Sequence, residues 1–412
     1  MNLGENTRSW RTQIALLWMH LTAEPLIALR TALSSYVLYA DYGGSVFQVG
    51  LCHSIRPVMA LLSFYWGARL SCGRSGLKAN LMGAWVLARL PFVFIPFVES
   101  SWYLLFCEAA FYAFHRGSMP ALMEILKINL PQEKRNKAFS LSFLLQFAES
   151  IFLGTLFGAL LMKSPGAWKG LFCFTALLGI TSVFFQRHIP LPHLKLTAEP
   201  KQTWKERLVE PWKKSIELLK NRPDFARFQW GFMIGGFGLM LISPALTMYA
   251  YNVIQASHAD VTIARTVFMG WGVVCSIYYW QRYLSKAPPR KLLGSVICGF
   301  ALYSFVLLLA QFHMSYYFMA FVIYGVAQAG SHLLWHLSGP LFAKHEDSSG
   351  YTMVNVLAVG VRGLVAPALG SLLCQAFGCT PVLMIGTCIL AYGSWRAFTA
   401  FETNQPKAAS KA

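Results

Sequence analysis

Glu24 and Arg30 lie near the middle of an apolar stretch that runs from about residue 14 to residue 39. Such a stretch can cross a bilayer, which takes about 20 residues. An ionised side chain at the bilayer centre costs about 2.5–3.5 kcal/mol on insertion scales. The two residues are six positions apart, so they lie about 120° apart around a helix and about 9 Å along it. Each therefore needs a partner on another helix or a water-filled cavity.

Other apolar stretches of the chain carry ionisable side chains in the same way. Arginines outnumber glutamates among them once Arg265, near the end of its stretch, is set aside. The arginines are Arg30, Arg56, Arg89, Arg116 and Arg362, and the glutamates are Glu24, Glu108 and Glu149.

This excess of arginine predicts a negatively charged small-molecule substrate. If every glutamate neutralises one arginine, two guanidinium groups still lack a carboxylate, and a buried cation without a counter-charge is costly. A substrate anion can supply that charge, and guanidinium binds carboxylate or phosphate through two parallel hydrogen bonds. The glutamates Glu24, Glu149 and Glu108 are candidates for proton coupling, because the proton affinity of a carboxyl responds to burial and to neighbouring charges.

The composition predicts an all-α polytopic membrane protein. Of the 412 residues, 56% are hydrophobic and only 13% are charged, whereas soluble domains have about 25% charged residues. The backbone in lipid must satisfy its own hydrogen bonds, which favours helices. Twelve spans are predicted, at residues 13–39, 46–68, 79–98, 101–126, 138–162, 167–186, 227–251, 261–283, 291–311, 315–342, 351–375 and 380–401.

The distribution of Lys and Arg supports twelve spans with both termini in the cytoplasm. With the N-terminus inside, the inner segments hold 27 of these residues and the outer loops hold only Lys163 and Lys169, as the positive-inside rule requires. The net charge of +18 then suits an anionic inner leaflet and does not indicate nucleic acid as a partner. We expect an integral protein of a cell membrane or a bacterial inner membrane.

The spans divide into two groups of six. We predict an N-terminal bundle over residues 1–190, a cytoplasmic central loop over 191–226 and a C-terminal bundle over 227–412. The loop contains TWKERLVEPWKKSIELLK, whose apolar residues recur every four positions, as in an amphipathic helix on a membrane surface. ALSSY at 32–36 and ALTMY at 245–249 are similar, which favours two six-helix pseudo-repeats.

Six plus six spans, a basic central loop and termini on one side resemble the major facilitator superfamily of secondary transporters. GARLSCGRSGLK, from Gly67, is similar to the family's Gly-x-x-x-Asp-Arg-x-Gly-Arg-Lys loop but has Ser71 in place of Asp. PALMEILKINLPQEKR, from Pro120, resembles the end of the family's fourth helix and the loop after it. The resemblance implies cytoplasmic gating by Glu124, Arg135 and Arg74, although Arg135 is equally explained as a positive-inside residue.

The resemblance also implies a central cavity lined by helices 1, 4, 7 and 10, with helices 2, 5, 8 and 11 beside them. Substrate-binding residues are then expected among Arg30, Arg116, Arg362, Tyr36, Tyr324 and Trp335. The alternative is that each arginine is a structural partner of a glutamate or of backbone carbonyls.

Several other functions are disfavoured or left as alternatives. No G-x-x-x-x-G-K-[ST] motif or nucleophile–base arrangement occurs, so we predict no enzyme activity and no cofactor. His332 and His336 have a metal-ligand spacing, but no third ligand is evident and no metal is predicted. Alternating access by proton symport or by exchange is favoured. Export of amphipathic drugs or lipids is an alternative, and so is a non-transporting receptor or scaffold.

Overall fold

The computed structural model describes residues 3–67, 74–191, 204–284, 286–343 and 349–399. Across these ranges all the regular elements are helices. This confirms the predicted all-α fold class, which follows from the need of a backbone in lipid to satisfy its N–H and C=O groups within each segment.

The first six long helices correspond one to one with the first six predicted spans, although α1 begins ten residues earlier than predicted and α3 lies five residues earlier at both ends. The loops between them are short, so each helix begins a few residues after its predecessor ends. The helices are α1 (Leu3–Ala40), α2 (Val46–Gly67), α3 (Arg74–Val93), α4 (Ser101–Asn129), α5 (Gln132–Lys163) and α6 (Trp168–Arg187).

The predicted amphipathic segment forms α7 (Trp204–Asn221), and the remaining spans follow it. They are α8 (Pro223–Leu241), α9 (Ser243–Asn252), α10 (His258–Ile263), α11 (Met269–Leu284), α12 (Pro289–Leu308), α13 (Met314–Ala343), α14 (Ser349–Phe377) and α15 (Cys379–Thr399).

Two of the predicted spans are interrupted in the structure. The span predicted at 227–251 is divided into α8 and α9 just before Pro244, because proline lacks the N–H that would continue the helix. The span predicted at 261–283 contains a π-helical turn over Ala264–Phe268 between α10 and α11. Such turns often occur at functional sites.

Within the described ranges, nine helical stretches are long and apolar enough to cross a membrane. The three other long helices of the first repeat are α1, α2 and α4. These three helices carry most of the mid-span charges, namely Glu24, Arg30, Arg56, Glu108 and Arg116.

The chain forms two compact units, each with its own core. The first unit comprises residues 1–208 and 255–270. In it, α3 packs on α4 and α6, α1 packs on α6 and α5, and α2 packs on α4. Leu16, Leu81, Trp85 and Ile125 are buried together in an apolar cluster of this unit.

Residues 255–270 pack against α1 and α5 within the first unit. Gly154 and Gly158 of α5 permit this approach, since a Cβ at either position would overlap Thr266 or Ile263. The Arg265 guanidinium donates to the carbonyl oxygen of Ala32 at 3.2 Å.

The second unit comprises residues 209–254 and 271–412. In it, α12 packs on α15 and α13, and α8 packs on α14 and α15. Gly370 lies against the Leu241 carbonyl, where a Cβ would overlap backbone atoms. The domain boundaries predicted at 190/191 and 226/227 stay a prediction.

Candidate functional site

The charged side chains inside the first unit are arranged around a buried ion pair. Arg30 Nη1 lies 2.5 Å from Glu108 Oε2, and both side chains are almost fully buried. Ser34 Oγ donates to Glu108 Oε1 at 2.6 Å. The carboxylate therefore accepts hydrogen bonds from two residues one turn apart on α1, a spacing that a helix provides for positions i and i+4.

Aromatic rings of α4 complete the surroundings of Arg30. The guanidinium carbon lies 4.1 Å from the ring centroid of Phe111 and 4.2 Å from that of Tyr112. Such cation–π contacts contribute about 2 kcal/mol when they are desolvated. Arg30 is thus neutralised and enclosed by the protein itself.

Glu108, Tyr112 and Arg116 follow one side of α4 at intervals of four residues. Tyr112 interacts electrostatically with both Arg30 and Arg116. Arg116 itself is exposed, and so is Arg56 near the middle of α2, a helix that packs on α4. In the described part of the chain, neither guanidinium has a carboxylate partner. The sequence places Arg56 in the middle of a span but does not predict it as a site residue.

Two of the predicted proton-coupling carboxylates lie together in the first unit. Glu24 on α1 is 5% exposed and interacts electrostatically with Glu149 on α5. Its carboxyl also forms a hydrogen bond with the side chain of Gln146, one turn before Glu149. The third candidate, Glu108, is the partner of Arg30, and its role in proton coupling stays a prediction.

Arg89 is completely buried at the interface of α3 and α6. Its Nη1 donates to the Trp85 carbonyl at 3.0 Å, and its guanidinium lies over the Trp85 ring at 3.7 Å. Gly179 makes space for it, because a Cβ at residue 179 would overlap the Arg89 side chain. Arg89 therefore has no opening to solvent, and its Nε and Nη2 have no hydrogen-bond partner among the described residues.

Arg362 is the principal buried cation of the second unit, with 7% of its surface exposed. Its Nη1 donates to the Phe232 carbonyl at 2.7 Å, and its guanidinium lies 4.7 Å from the Phe232 ring centroid. Gly236 makes space for the guanidinium, since a Cβ at residue 236 would overlap it. Among the described residues, no carboxylate pairs with Arg362.

The predicted aromatic site residues have different surroundings. Trp335 lies 6.0 Å from Phe232 between ring centroids, so it contacts the same side chain as Arg362. Tyr324 belongs to a cluster with Tyr303, 4.9 Å away between ring centroids. Tyr36 is buried in the first unit, where its hydroxyl donates to the Ala256 carbonyl.

The predicted gating and metal residues are only partly described. Glu124 forms an exposed pair with Lys127 at 3.7 Å within α4. The side chains of Arg74, Arg135 and His336 lie outside the described residues, as does the loop 68–73 that contains Ser71. His332 contacts Gln328 at 2.9 Å. The described residues contain no group of three His, Cys, Asp or Glu suited to a metal ion.

A pocket of about 290 Å³ lies at the end of the first unit where α1 ends and α4 begins. Two polar contacts line it: a hydrogen bond between His258 Nε2 and Asp41 Oδ2 at 2.7 Å, and an ion pair between Lys169 Nζ and Glu99 Oε1 at 2.6 Å. The hydrogen bond from Lys169 and its positive charge lower the pKa of Glu99. Burial raises the pKa of Tyr42 to about 12, with smaller contributions from Cys107, Glu99 and Asp41.

The first unit therefore contains a neutralised arginine, two exposed arginines and a carboxyl pair, and the second contains a buried arginine beside aromatic rings. Charges inside membrane helices usually mark substrate or ion pathways.

Comparison with solved structures gives the same fold at low sequence identity. A point mutant of the nucleoside transporter NupG matches with a TM-score of 0.75 and 14% identity, over 95% of this chain and 100% of that one. A D-xylose–proton symporter matches with a TM-score of 0.62 and 15% identity, over 97% and 98% of the two chains.

A bacterial homologue of the human lysosomal transporter Spinster, in an inward-facing and unoccupied conformation, is also similar. Its TM-score is 0.62 and its identity is 15%, over 97% of this chain and 94% of that one. No curated protein sequence matches the chain. The family model of the Major Facilitator Superfamily matches residues 26–367. With its helical fold and its embedded charges, the chain belongs to the major facilitator superfamily.

Proposed function

We propose that this protein is a secondary active transporter that moves a small organic or phosphorylated anion by alternating access. The observation that carries the proposal is the charge balance of the embedded side chains. Glu108 neutralises Arg30, while Arg116 and Arg362 have no carboxylate partner among the described residues. A substrate anion entering from water would supply the missing negative charge.

The surroundings of Arg362 support a role in binding. A single carbonyl and an aromatic ring satisfy only part of its hydrogen-bonding capacity, because a guanidinium has five N–H donors. Trp335 lies against the same ring and offers an apolar surface for the rest of a substrate. Tyr324 and Tyr36 are proposed as further binding residues, and Arg30 as the residue that holds α1 to α4 through Glu108.

We propose that Glu24 and Glu149 together bind the coupled proton. Two carboxylates that interact in a low-dielectric site repel each other, and one bound proton removes that repulsion. Gln146 can hydrogen-bond either form of the Glu24 carboxyl, since its amide has both a donor and an acceptor. A conformational change that separates or hydrates the pair would release the proton, by symport or by exchange.

The proposed orientation has both termini in the cytoplasm, in a cell membrane or a bacterial inner membrane. The excess of Lys and Arg in alternate loops supports it. Glu124, Arg135 and Arg74 are proposed to act in gating on that side.

The proposed substrate class is tested with the purified protein. Its thermal stability is measured with anionic, cationic and neutral metabolites, and uptake of the stabilising compounds is then measured in liposomes. We expect stabilisation by anions and loss of uptake in Arg362→Gln, with normal uptake in the exposed control Arg396→Gln. Stabilisation by lipophilic cations alone would indicate a drug or lipid exporter. A protein that no small molecule stabilises would instead be a receptor or scaffold.

The proposed proton coupling is tested by the pH dependence of the same uptake. Glu24→Gln and Glu149→Gln should each remove stimulation by an inward proton gradient, because neutral amides cannot exchange a proton. Glu217→Gln, on exposed α7, is the matched control. Gradient-driven uptake that persists in both variants would exclude this carboxyl pair as the proton site.

A further inference from the structure

Arg56 and Arg116 are the exposed arginines in the middle of the described helices of the first unit. Arg56 lies near the centre of α2, and Arg116 lies near the centre of α4. The two helices pack together, and the two guanidinium groups are close enough to interact electrostatically. They form a pair of like charges on one surface.

This surface is unsuited to lipid. An arginine in the middle of a membrane helix costs about 2.5–3.5 kcal/mol on insertion scales, and such residues normally face a bundle interior or a water-filled cavity. Arg56 and Arg116 are exposed and therefore are not enclosed by the first unit. The surface that carries them is expected to face water.

Neither guanidinium is neutralised by the described part of the protein. Two carboxylates lie two turns from Arg116 on the same side of α4: Glu108 is already bound to Arg30 and Ser34, and Glu124 pairs with Lys127. Tyr112, which lies between Glu108 and Arg116, supplies only a phenol. An anion that enters from solvent therefore meets Arg116 and Arg56 rather than the enclosed Arg30.

We propose that Arg56 and Arg116 together bind a dianionic phosphoryl group of the substrate. This inference rests on the proposed function, and it specifies which anion is carried. A phosphoryl group offers three terminal oxygens and a charge near −2, which matches two guanidinium forks and cancels the repulsion between them. A carboxylate has two oxygens and one charge, so one arginine satisfies it.

The inference predicts a preference for phosphate esters over the corresponding uncharged alcohols and over monocarboxylates. The probes are AMP with adenosine, glycerol 3-phosphate with glycerol, and lactate, and binding to the detergent-purified protein is measured by calorimetry. Arg56→Gln and Arg116→Gln should each weaken binding of the phosphate ester about tenfold or more, as expected for lost hydrogen bonds between charged groups. Arg396→Gln should leave it unchanged.

Two lysine variants test whether the glutamine variants lose binding only because they fail to fold. Arg56→Lys and Arg116→Lys keep the positive charge but lose the two-pronged geometry. We expect them to keep the wild-type melting temperature and to bind the phosphate ester with an affinity between that of the wild type and that of the glutamine variants.

The outcomes separate this inference from the proposed function. Equal binding of the phosphate ester by wild type, Arg56→Gln and Arg116→Gln would overturn the phosphoryl site, and so would binding of lactate in preference to both esters; anion transport would survive either result. If the wild type neither binds nor transports any anion, the proposed function fails, and this inference fails with it.

Discussion

The buried pair of Arg30 and Glu108 provides a quantitative test of how the first unit is held together. Replacing Glu108 by Gln keeps the side-chain shape and an oxygen that can accept from Ser34, so the change mainly removes the negative charge. Arg30 would then be a buried cation without its counter-ion. Removing one partner of a buried pair costs about 3–5 kcal/mol, and we expect a loss of that size in the free energy of unfolding.

A change at Arg30 and a double change at both residues distinguish the energy of the ion pair from the effects of its surroundings. Arg30→Met keeps most of the side-chain stem but leaves the Glu108 carboxylate unpaired, so its cost should be similar. The double variant Arg30→Met/Glu108→Leu removes both charges of this pair, and apolar replacement of a whole buried pair is often close to neutral. We therefore expect the double variant to be more stable than either single variant.

The assay is a double-mutant cycle in detergent micelles, with unfolding followed by circular dichroism. Glu217→Gln and Arg396→Gln, both at exposed positions, control for simple loss of charge and should change the free energy of unfolding by less than about 1 kcal/mol. The reasoning would be refuted if each single variant at the buried pair cost less than about 1 kcal/mol and the two costs were additive.

Two further predictions test other contacts. Gly236→Ala should displace the Arg362 guanidinium and weaken anion binding, with little loss of stability because the Arg362 side chain is flexible and can move. In Gly370→Ala the added methyl group would meet the backbone of α8, so this change should clearly lower the melting temperature. Equal effects of the two changes on the melting temperature would contradict this contrast. Lys169 lowers the pKa of Glu99. The ion pair between them therefore stabilises the fold fully at pH values above the ordinary pKa of glutamate. This stabilisation is lost as the pH falls through the lowered pKa of Glu99 in the folded state. Lys169→Gln should raise the pKa of Glu99 towards its ordinary value, as measured by carboxyl NMR, and an unchanged titration would exclude the contact.

Much of the fold could be predicted because it depends on local properties of the sequence. The span predicted at 46–68 corresponds to Val46–Gly67, and the amphipathic pattern after residue 203 forms Trp204–Asn221. Apolar length and periodicity are visible in any window of the chain. The break before Pro244 was not predicted, since α1, α2 and α14 continue through Pro25, Pro57 and Pro367. The π-helical turn over Ala264–Phe268 was not predicted either.

The candidate site was less predictable because its pairings are tertiary. The sequence shows that arginines outnumber glutamates in the spans, but Arg30 and Glu108 are separated by 78 positions, so their pairing is fixed only when α1 meets α4. The same is true of Glu24 and Glu149 on α1 and α5. Exposure is also a property of the folded chain, so the sequence could not distinguish enclosed Arg89 from exposed Arg56.

These pairings change which arginines are free to bind a substrate. A count of charges in the sequence treats the five mid-span arginines as equivalent. In the structure, Glu108 neutralises the charge of Arg30, and two aromatic rings contact its guanidinium. Arg89 instead lies against the Trp85 carbonyl and ring. Among the described residues four of these arginines therefore have no carboxylate partner: Arg56, Arg89 and Arg116 in one unit and Arg362 in the other. Arg89 has no exposed surface through which a substrate could reach it, whereas Arg362 is 7% exposed, so the proposed anion specificity depends on Arg56, Arg116 and Arg362.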